Sequence, residues 1–550
     1  MIRKFIKNPF FLHLLVFLIT LPVVFQLIRP GYYPMHDDFQ VIRTFEVDKC
    51  FKDGQFPCRW VPDMGFGYGY PEFNYYAPLP YYVMELTHLI GFGFIASVKL
   101  FIILITLASA FGMYAFSKYL WKDELASLVG TVLYVYLPFR AVDMYVRGAL
   151  PELTTMAIIP FLFLFAYKMV QEEKRSLFWF SLSAAVLLLS HNIGTLIIMP
   201  TVCLWILLLV IKNKSWKRAP NIIASIAIAV GLAAFFVIPA WLEKNYVHID
   251  TLTSGYFNYL AHFVSLKQML FSTHWGYGSS QLGVGDDISL AVGITQWVLA
   301  SVGVLAVIVT KKFKHIFEIV FFLGIGWLSL FLMHEKSSFI WEKISILSFV
   351  QFPWRFLIIA GFSFSVASGA VALLNNKLLK WGIVAITIIA TIFLYSGDFH
   401  PSQWLSVSDK DKLSGEAWTK AITASLYDYL PVSVKKAPDF EAKAEPNVIM
   451  GKVNISGDKG TNWQNWKVNV LSESAILELQ VYYFPNWTVK VDGKDAKINY
   501  DNVHGLINIT LAKGEHNVEA RLANTKVRGI TNIISAISLL GLVYVLIKRK

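Results

Sequence analysis

Apolar runs recur along this chain at the length a bilayer demands, and that recurrence constrains the fold more than any other feature. A helix rises about 1.5 Å per residue, so crossing a hydrocarbon core of about 30 Å takes roughly 20 apolar residues. Residues 10–28 form the first such run. Others cover 97–118, 125–140, 153–170, 176–191, 194–211, 221–241, 288–310, 315–333, 356–374, 381–396 and 529–547, some of them short. About twelve transmembrane helices are therefore expected, in an α-helical polytopic membrane protein. With 55% hydrophobic and only 16% charged residues, the chain is far more apolar than a soluble protein of 550 residues.

Lys and Arg set the orientation. Arg3, Lys4 and Lys7 precede the first run, and no small-residue cleavage site is evident, which predicts a retained signal anchor with a cytoplasmic N-terminus. Alternate loops then collect the cations. These are Lys118 and Lys122; Lys168, Lys174 and Arg175; Lys212, Lys214, Lys217 and Arg218; Lys311, Lys312 and Lys314; Lys377 and Lys380; and Lys548, Arg549 and Lys550. Both termini are thus expected in the cytoplasm of a multi-pass cell-membrane protein. Most of the +12 formal charge sits in these short loops, where it sets topology and implies no nucleic-acid partner. Leu79 to Phe92 is apolar, but at about 14 residues, with Glu85 and His88 inside, it is short for a span. Counting it would invert every later loop. A re-entrant or surface-lying helix is expected there, with the whole 29–96 loop outside.

Three units follow: a transmembrane domain over 1–396, an extracytoplasmic mixed and β domain over 397–528, and a C-terminal transmembrane helix in 529–550. Strand signals run through Asn447–Ile455, Trp466–Leu471, Ala475–Tyr483, Trp487–Val491, Lys497–Tyr500, Leu506–Leu511 and His516–Leu522, which predicts a small β-sandwich. Cys50 and Cys58 share the first loop and can pair in an oxidising compartment, while Cys203 lies in a span.

Ionisable groups gather at the outer boundary, where a charge near lipid marks function by default. His36, Asp37 and Asp38 follow the first span. One of the two carboxylates can accept a proton from an attacking hydroxyl, or both can hold a divalent cation, or they can simply cap a helix from Phe39 to Phe51. Arg147 and Arg355 suit bidentate phosphate binding; Arg147 can instead pair with Glu152, and Arg355 can anchor at the interface beside Trp354. His191 and Asn192 end the fifth span, ready to touch a substrate or to satisfy backbone. The outer loop 242–287 is long for an idle connection, so it is expected to act as a lid or binding loop. No Walker, HExxH or GxSxG motif is present.

In order along the chain come His36-Asp37, Arg59-Trp60-x-Pro62-Asp63, Gly67-Tyr68-Gly69-Tyr70-Pro71, Arg147-Gly148-Ala149-Leu150-Pro151-Glu152, Ser190-His191-Asn192, Gln351-Phe352-Pro353-Trp354-Arg355 and Tyr429-Leu430-Pro431. With these motifs the chain resembles the 6-pyruvoyl-tetrahydropterin synthase-related membrane proteins, and its arrangement looks like the C-type glycosyltransferase (GT-C) fold. Tyr482-Tyr483-Phe484-Pro485-x-Trp487 and the residues after it are similar to the C-terminal end of YfhO-type proteins. A soluble pterin synthase needs a histidine zinc site on a compact α+β fold, which nothing here resembles. The GT-C resemblance implies inverting transfer of a sugar from a polyprenyl-phosphate donor to a glycan, lipid or protein acceptor in the cell envelope. It implies Asp37 or Asp38 as base, with His36, Arg147, Glu152, His191, Asn192 and Arg355 around donor and phosphate. It requires no cofactor and leaves a divalent cation at Asp37 and Asp38 open. A transporter of lipid-linked substrates or an envelope-assembly protein of the same fold is the alternative. A transporter calls for internal repeats and paired broken helices near mid-membrane; no convincing repeat is present, and the polar residues sit at the outer surface.

Overall fold

A computed structural model of the chain describes residues 9–173, 175–281, 285–423 and 427–548. Arg3, Lys4, Lys7, Lys174, Arg549, Lys550 and the side chain of Lys548 lie outside the described residues, so the charge pattern is carried by the remaining loops.

Among the described residues nine helices are long and apolar enough to cross a membrane. A tenth expected span is a bent pair, Glu124–Val135 and Pro138–Arg147, turned by 46°. Ser176–Ser190 and Ile294–Val309 are apolar but shorter helices. Pro138 explains the bend, because it cannot donate an amide to the preceding turn. The Pro353–Leu373 helix is buried along its whole apolar window and forms the bundle's centre, whereas Lys526–Ile547 is mostly exposed at the bundle's edge.

Loop 29–96 is a built structure. It holds the Gln40–Lys52 helix and the 11-residue Leu79–Leu89 helix, whose Leu86 and Leu89, together with Ile90 just beyond it, are exposed. At 11 residues the Leu79–Leu89 helix is shorter than a span needs. Cys50 and Cys58 are disulfide-bonded. Gly65-Phe66-Gly67-Tyr68-Gly69 forms the seat for the polar domain. Phe66 N–H donates to Ile422 O at 3.0 Å, and Tyr482 N–H donates to Tyr68 O at 3.1 Å. Gly69 has φ +83°, and a Cβ there would lie 2.3 Å from the Trp60 Nε1. The aromatic run is therefore packed against protein: Tyr68 stacks on Tyr482 and Trp60 meets Phe484.

The β-domain differs from the expected seven short strands in a sandwich. Six strands, β1 (Asn447–Met450), β2 (Val453–Lys459), β3 (Trp463–Tyr482), β4 (Trp487–Val491), β5 (Lys494–Asp495) and β6 (Leu506–Leu522), hydrogen-bond into one antiparallel sheet ordered β1-β3-β6-β4-β5, with β2 also on β3. The sequence shows two strands where β3 runs as one, because the buried positions change parity. They are Trp466, Val468 and Val470 before a register shift at Val470/Ser474, and Ala475, Leu477 and Leu479 after it. A bulge reverses which side chains face the core without ending the strand.

Two polar anchors hold this domain. Asp53 accepts from Thr461 N–H and Oγ1, both at 2.7 Å, and from Trp463 Nε1 at 2.9 Å. On the other side buried Glu243 accepts from Arg528 Nε at 2.8 Å, Thr525 Oγ1 at 2.6 Å and Asn74 Nδ2 at 3.1 Å. Against the upward push of burial, the donors of Thr461 and Trp463 hold the Asp53 carboxyl below its usual range. A depressed folded pKa stabilises the docked state above the unfolded value, about 4, and that contribution is lost as pH falls through the folded value. Asp53→Ala is expected to cost about 2 kcal/mol of docking, read as earlier protease cleavage between the β-domain and loop 29–96. Lowering the pH below about 4 should open the wild type in the same way and leave the variant's cleavage rate less changed.

Candidate active site

The site begins at the bend in the Glu124–Arg147 pair. Its last turn, Val142–Arg147, is wound as a π-helix and stops at Gly148, φ +68°. A Cβ on Gly148 would lie 2.1 Å from the Met35 sulfur, so glycine permits loop 29–96 to lie directly on this turn. There His36 N–H donates to Val146 O at 3.0 Å and Asp37 N–H to Arg147 O at 2.9 Å. Gln40 Nε2 donates to both Asp37 O and Gly148 O. These bonds set Asp37 beside Arg147.

Arg147 is buried between two acids. Its Nη1 donates to Asp143 at 2.5 Å and to Glu152 Oε2 at 2.8 Å, and its Nη2 donates to Glu152 Oε1 at 2.9 Å. Arg355, from the far end of the bundle sequence, donates through Nε to the same Glu152 Oε1 at 2.9 Å. Arg355 Nη1 is held by Val350 O and Gln351 Oε1, both at 2.8 Å. Its Nη2 makes no hydrogen bond among the described residues. The Arg147 guanidinium also lies 4.6 Å from the centre of the Trp354 ring. Thus Arg147 does pair with Glu152, and Arg355 is no isolated interfacial anchor: Glu152, 2% exposed, joins both arginines.

These groups face a cavity of about 430 Å³ lined by Asp37, Arg147, Glu152, His191, Asn192 and Arg355. The Asp37 carboxylate has no side-chain hydrogen bond or ion pair among the described residues, although Arg43, Arg147 and Arg355 lie within reach of its charge. His191 Nδ1 accepts from Gly194 N–H at 3.1 Å, which leaves Nε2 to carry the hydrogen of the neutral ring. Asn192 Nδ2 donates to Tyr75 O at 2.8 Å, tying the aromatic run to the bundle. Much of the remaining wall is apolar and includes Leu188, Leu196, Val237, Trp241, Ile346 and Phe349. Loop 242–287, of which residues 282–284 lie outside the description, supplies Lys244, Val247, Ile249, Leu252 and Phe257, so it serves as a wall of the cavity.

Two expected site residues lie elsewhere. Asp38 Oδ2 pairs with Lys412 Nζ at 2.5 Å, and burial holds its carboxyl above its usual range against the opposing pull of that lysine. His36 is exposed, its Nε2 3.0 Å from Tyr277 O. The backbone pairing at 36–37 brings Asp37 to the cavity, while Asp38 turns to Lys412 and His36 to Tyr277. Neither aspartate caps the following helix, which starts at Gln40 with Phe39 in the cap position and no side-chain cap. A cation shared by Asp37 and Asp38 has only Asp37 on the cavity, and among the described residues no three His, Cys, Asp or Glu side chains are grouped to hold a metal ion.

Sequence reasoning missed Arg43, Lys244 and Asp428, all on the cavity wall. Arg43 is 3% exposed, bonded to Glu72 at 2.6 Å and 4.1 Å from the Tyr76 ring centre. Its signal was a lone arginine among the buried Val41, Ile42 and Val47 of an amphipathic helix. Glu152→Gln removes the charge shared by two buried guanidiniums and is expected to cost about 3–5 kcal/mol, seen as a lower unfolding midpoint in detergent. A loss below about 1 kcal/mol would show that the network is solvated.

A family model described as 6-pyruvoyl-tetrahydropterin synthase related domain, membrane protein, matches residues 73–400. An uncharacterized protein of Lactococcus lactis subsp. cremoris (strain MG1363) is 27% identical over 292 residues, which cover 50% of this chain and 47% of that protein. The chain therefore spans about half the length of this curated relative. Among solved structures, arabinofuranosyltransferase AftD from Mycobacteria aligns with 73% of this chain and 28% of its own, at 14% identity and TM-score 0.47. The apo oligosaccharyltransferase of Archaeoglobus fulgidus aligns with 79% of this chain and 61% of its own, at 11% identity and TM-score 0.45.

Proposed function

This chain belongs to the 6-pyruvoyl-tetrahydropterin synthase related family of membrane proteins, and from the chemistry of its cavity we propose that it transfers a sugar from a polyprenyl-phosphate donor to an acceptor at the outer membrane face. One observation carries the reading. A single cavity joins Asp37, a carboxylate without a side-chain partner among the described residues, to two arginines and to an apolar wall. Phosphate suits the arginines, a prenyl chain suits the wall, and a base is what remains to be used.

In this mechanism Asp37 takes the proton of an acceptor hydroxyl as its oxygen attacks the anomeric carbon. The bond from that carbon to the phosphate oxygen breaks, and the electron pair leaves on the phosphate. Arg355, through its uncommitted Nη2, and Arg147 stabilise that growing charge. Attack opposite the leaving group inverts the anomeric centre. Glu152 keeps the two guanidiniums together, and His191 Nε2 supplies a further donor to the sugar. The alternation of Lys and Arg in the loops and the Cys50–Cys58 disulfide support placing the cavity on the oxidising, outer side.

The test is transfer of radiolabelled sugar from polyprenyl-phosphate donors by the purified protein. Asp37→Asn is expected to lower transfer by about 10²–10⁴-fold, and Arg355→Gln by about 10²–10³-fold. Asp38→Asn should stay within about threefold of the wild type, because Asp38 serves the contact with Lys412. Equal loss in the Asp37 and Asp38 variants, or no transfer by folded wild type from any donor, would contradict the mechanism and favour transport or assembly.

A further inference from the structure

The cavity is divided by chemistry. The Leu188, Leu196, Val237, Ile346 and Phe349 side is apolar, whereas Tyr76, Arg43, Tyr429 and Asp428 also face the same space. Asp428 comes from the polar domain, in a segment whose next residues are bonded to loops 29–96 and 242–287. Tyr429 N–H donates to Tyr70 Oη at 2.6 Å, and its ring stacks on Tyr75 with centroids 5.5 Å apart and planes at 23°. One residue on, Leu430 O accepts from His248 N–H at 3.0 Å, and Val432 N–H donates to Tyr246 O at 3.0 Å. Loop 29–96 and loop 242–287 thus clamp this segment from both sides. Electrostatically the polar half is continuous: the Tyr429 phenol feels Asp428, Tyr76 and Arg43, and the Tyr76 phenol feels Arg43 and Asp37.

Aromatic faces stack on the C–H faces of sugar rings, and a fixed carboxylate accepts from neighbouring hydroxyls. A prenyl chain has no use for a carboxylate, and it already has the apolar wall. We infer that this half of the cavity is the acceptor subsite, that the acceptor is a neutral carbohydrate, and that Asp428 is its positioning residue. The inference rests on the transfer reading above. Asp37 takes the proton of the attacking hydroxyl, while Asp428 accepts from a hydroxyl beside it and so sets which one attacks.

The experiment uses the full chain in lipid nanodiscs with a polyprenyl-phosphate sugar. Donor hydrolysis by water and transfer to three acceptors are followed separately: neutral oligosaccharides, diacylglycerol, and a Ser/Thr-rich peptide. Wild type is expected to transfer to an oligosaccharide. Asp428→Asn should raise the acceptor KM about tenfold or more, with donor hydrolysis within about twofold of the wild type. Should that variant not fold, Asp428→Glu, which keeps the charge and moves it by one methylene, carries the same test. Hydrolysis falling together with transfer, an unchanged KM, or transfer confined to diacylglycerol or the peptide would overturn the inference and leave the transfer reading standing. Wild type that neither hydrolyses the donor nor transfers would overturn both.

Discussion

Everything at the candidate site depends on one carboxylate, Glu152, held between two guanidiniums. A lone ion at this depth is very costly, and a buried pair is tolerated only with good geometry and its remaining atoms satisfied. Glu152 meets that condition by accepting from Arg147 twice and from Arg355 once, while Asp143 takes a further bond from Arg147. The result joins the end of the Pro138–Arg147 helix, the first turn of the Leu150–Val170 helix and the Pro353–Phe356 turn at one point. Enough donor capacity remains on Arg355 to receive an anion, which a fully satisfied pair would not have.

Around that point the polar parts of the chain are arranged in layers. Backbone pairing at 36–37 with 146–147 delivers Asp37, and Gly148 makes the approach sterically possible. Outside this layer the glycine-rich turn, Asp53 and Glu243 fasten the β-domain and the last helix to loop 29–96. The segment leading into the β-domain supplies Asp428 and Tyr429 to the cavity wall, and its Leu430 and Val432 are bonded to His248 and Tyr246.

Hydropathy made the helices legible because in lipid the backbone has to satisfy itself, so spans are long and uniform. Asp37, Arg147, Glu152, His191 and Arg355 were legible because ionisable residues at span ends are rare, and Asn192 because it adjoins His191. Asp38 and His36 were not separable from Asp37, since adjacent residues share every sequence signal and differ only in where the backbone aims them. Arg43 was hidden because its partner Glu72 lies on another segment. Asp428 was hidden because its neighbours read as an irregular loop, and only packing against Tyr70 and Tyr75 turns that loop into a wall. The merged strands β3 and β6 were read as pairs because a bulge shifts the alternation that marks a strand.

The most direct measurement is a structure of the protein bound to a polyprenyl-phosphonate sugar, whose carbon link in place of the bridging oxygen prevents transfer. The account predicts phosphonate oxygens within hydrogen-bond distance of Arg355 Nη2, the anomeric carbon facing Asp37, and the prenyl chain along Trp241, Ile346 and Phe349. A lipid seated elsewhere on the bundle, or a phosphonate remote from both arginines with Asp37 facing solvent, would contradict it.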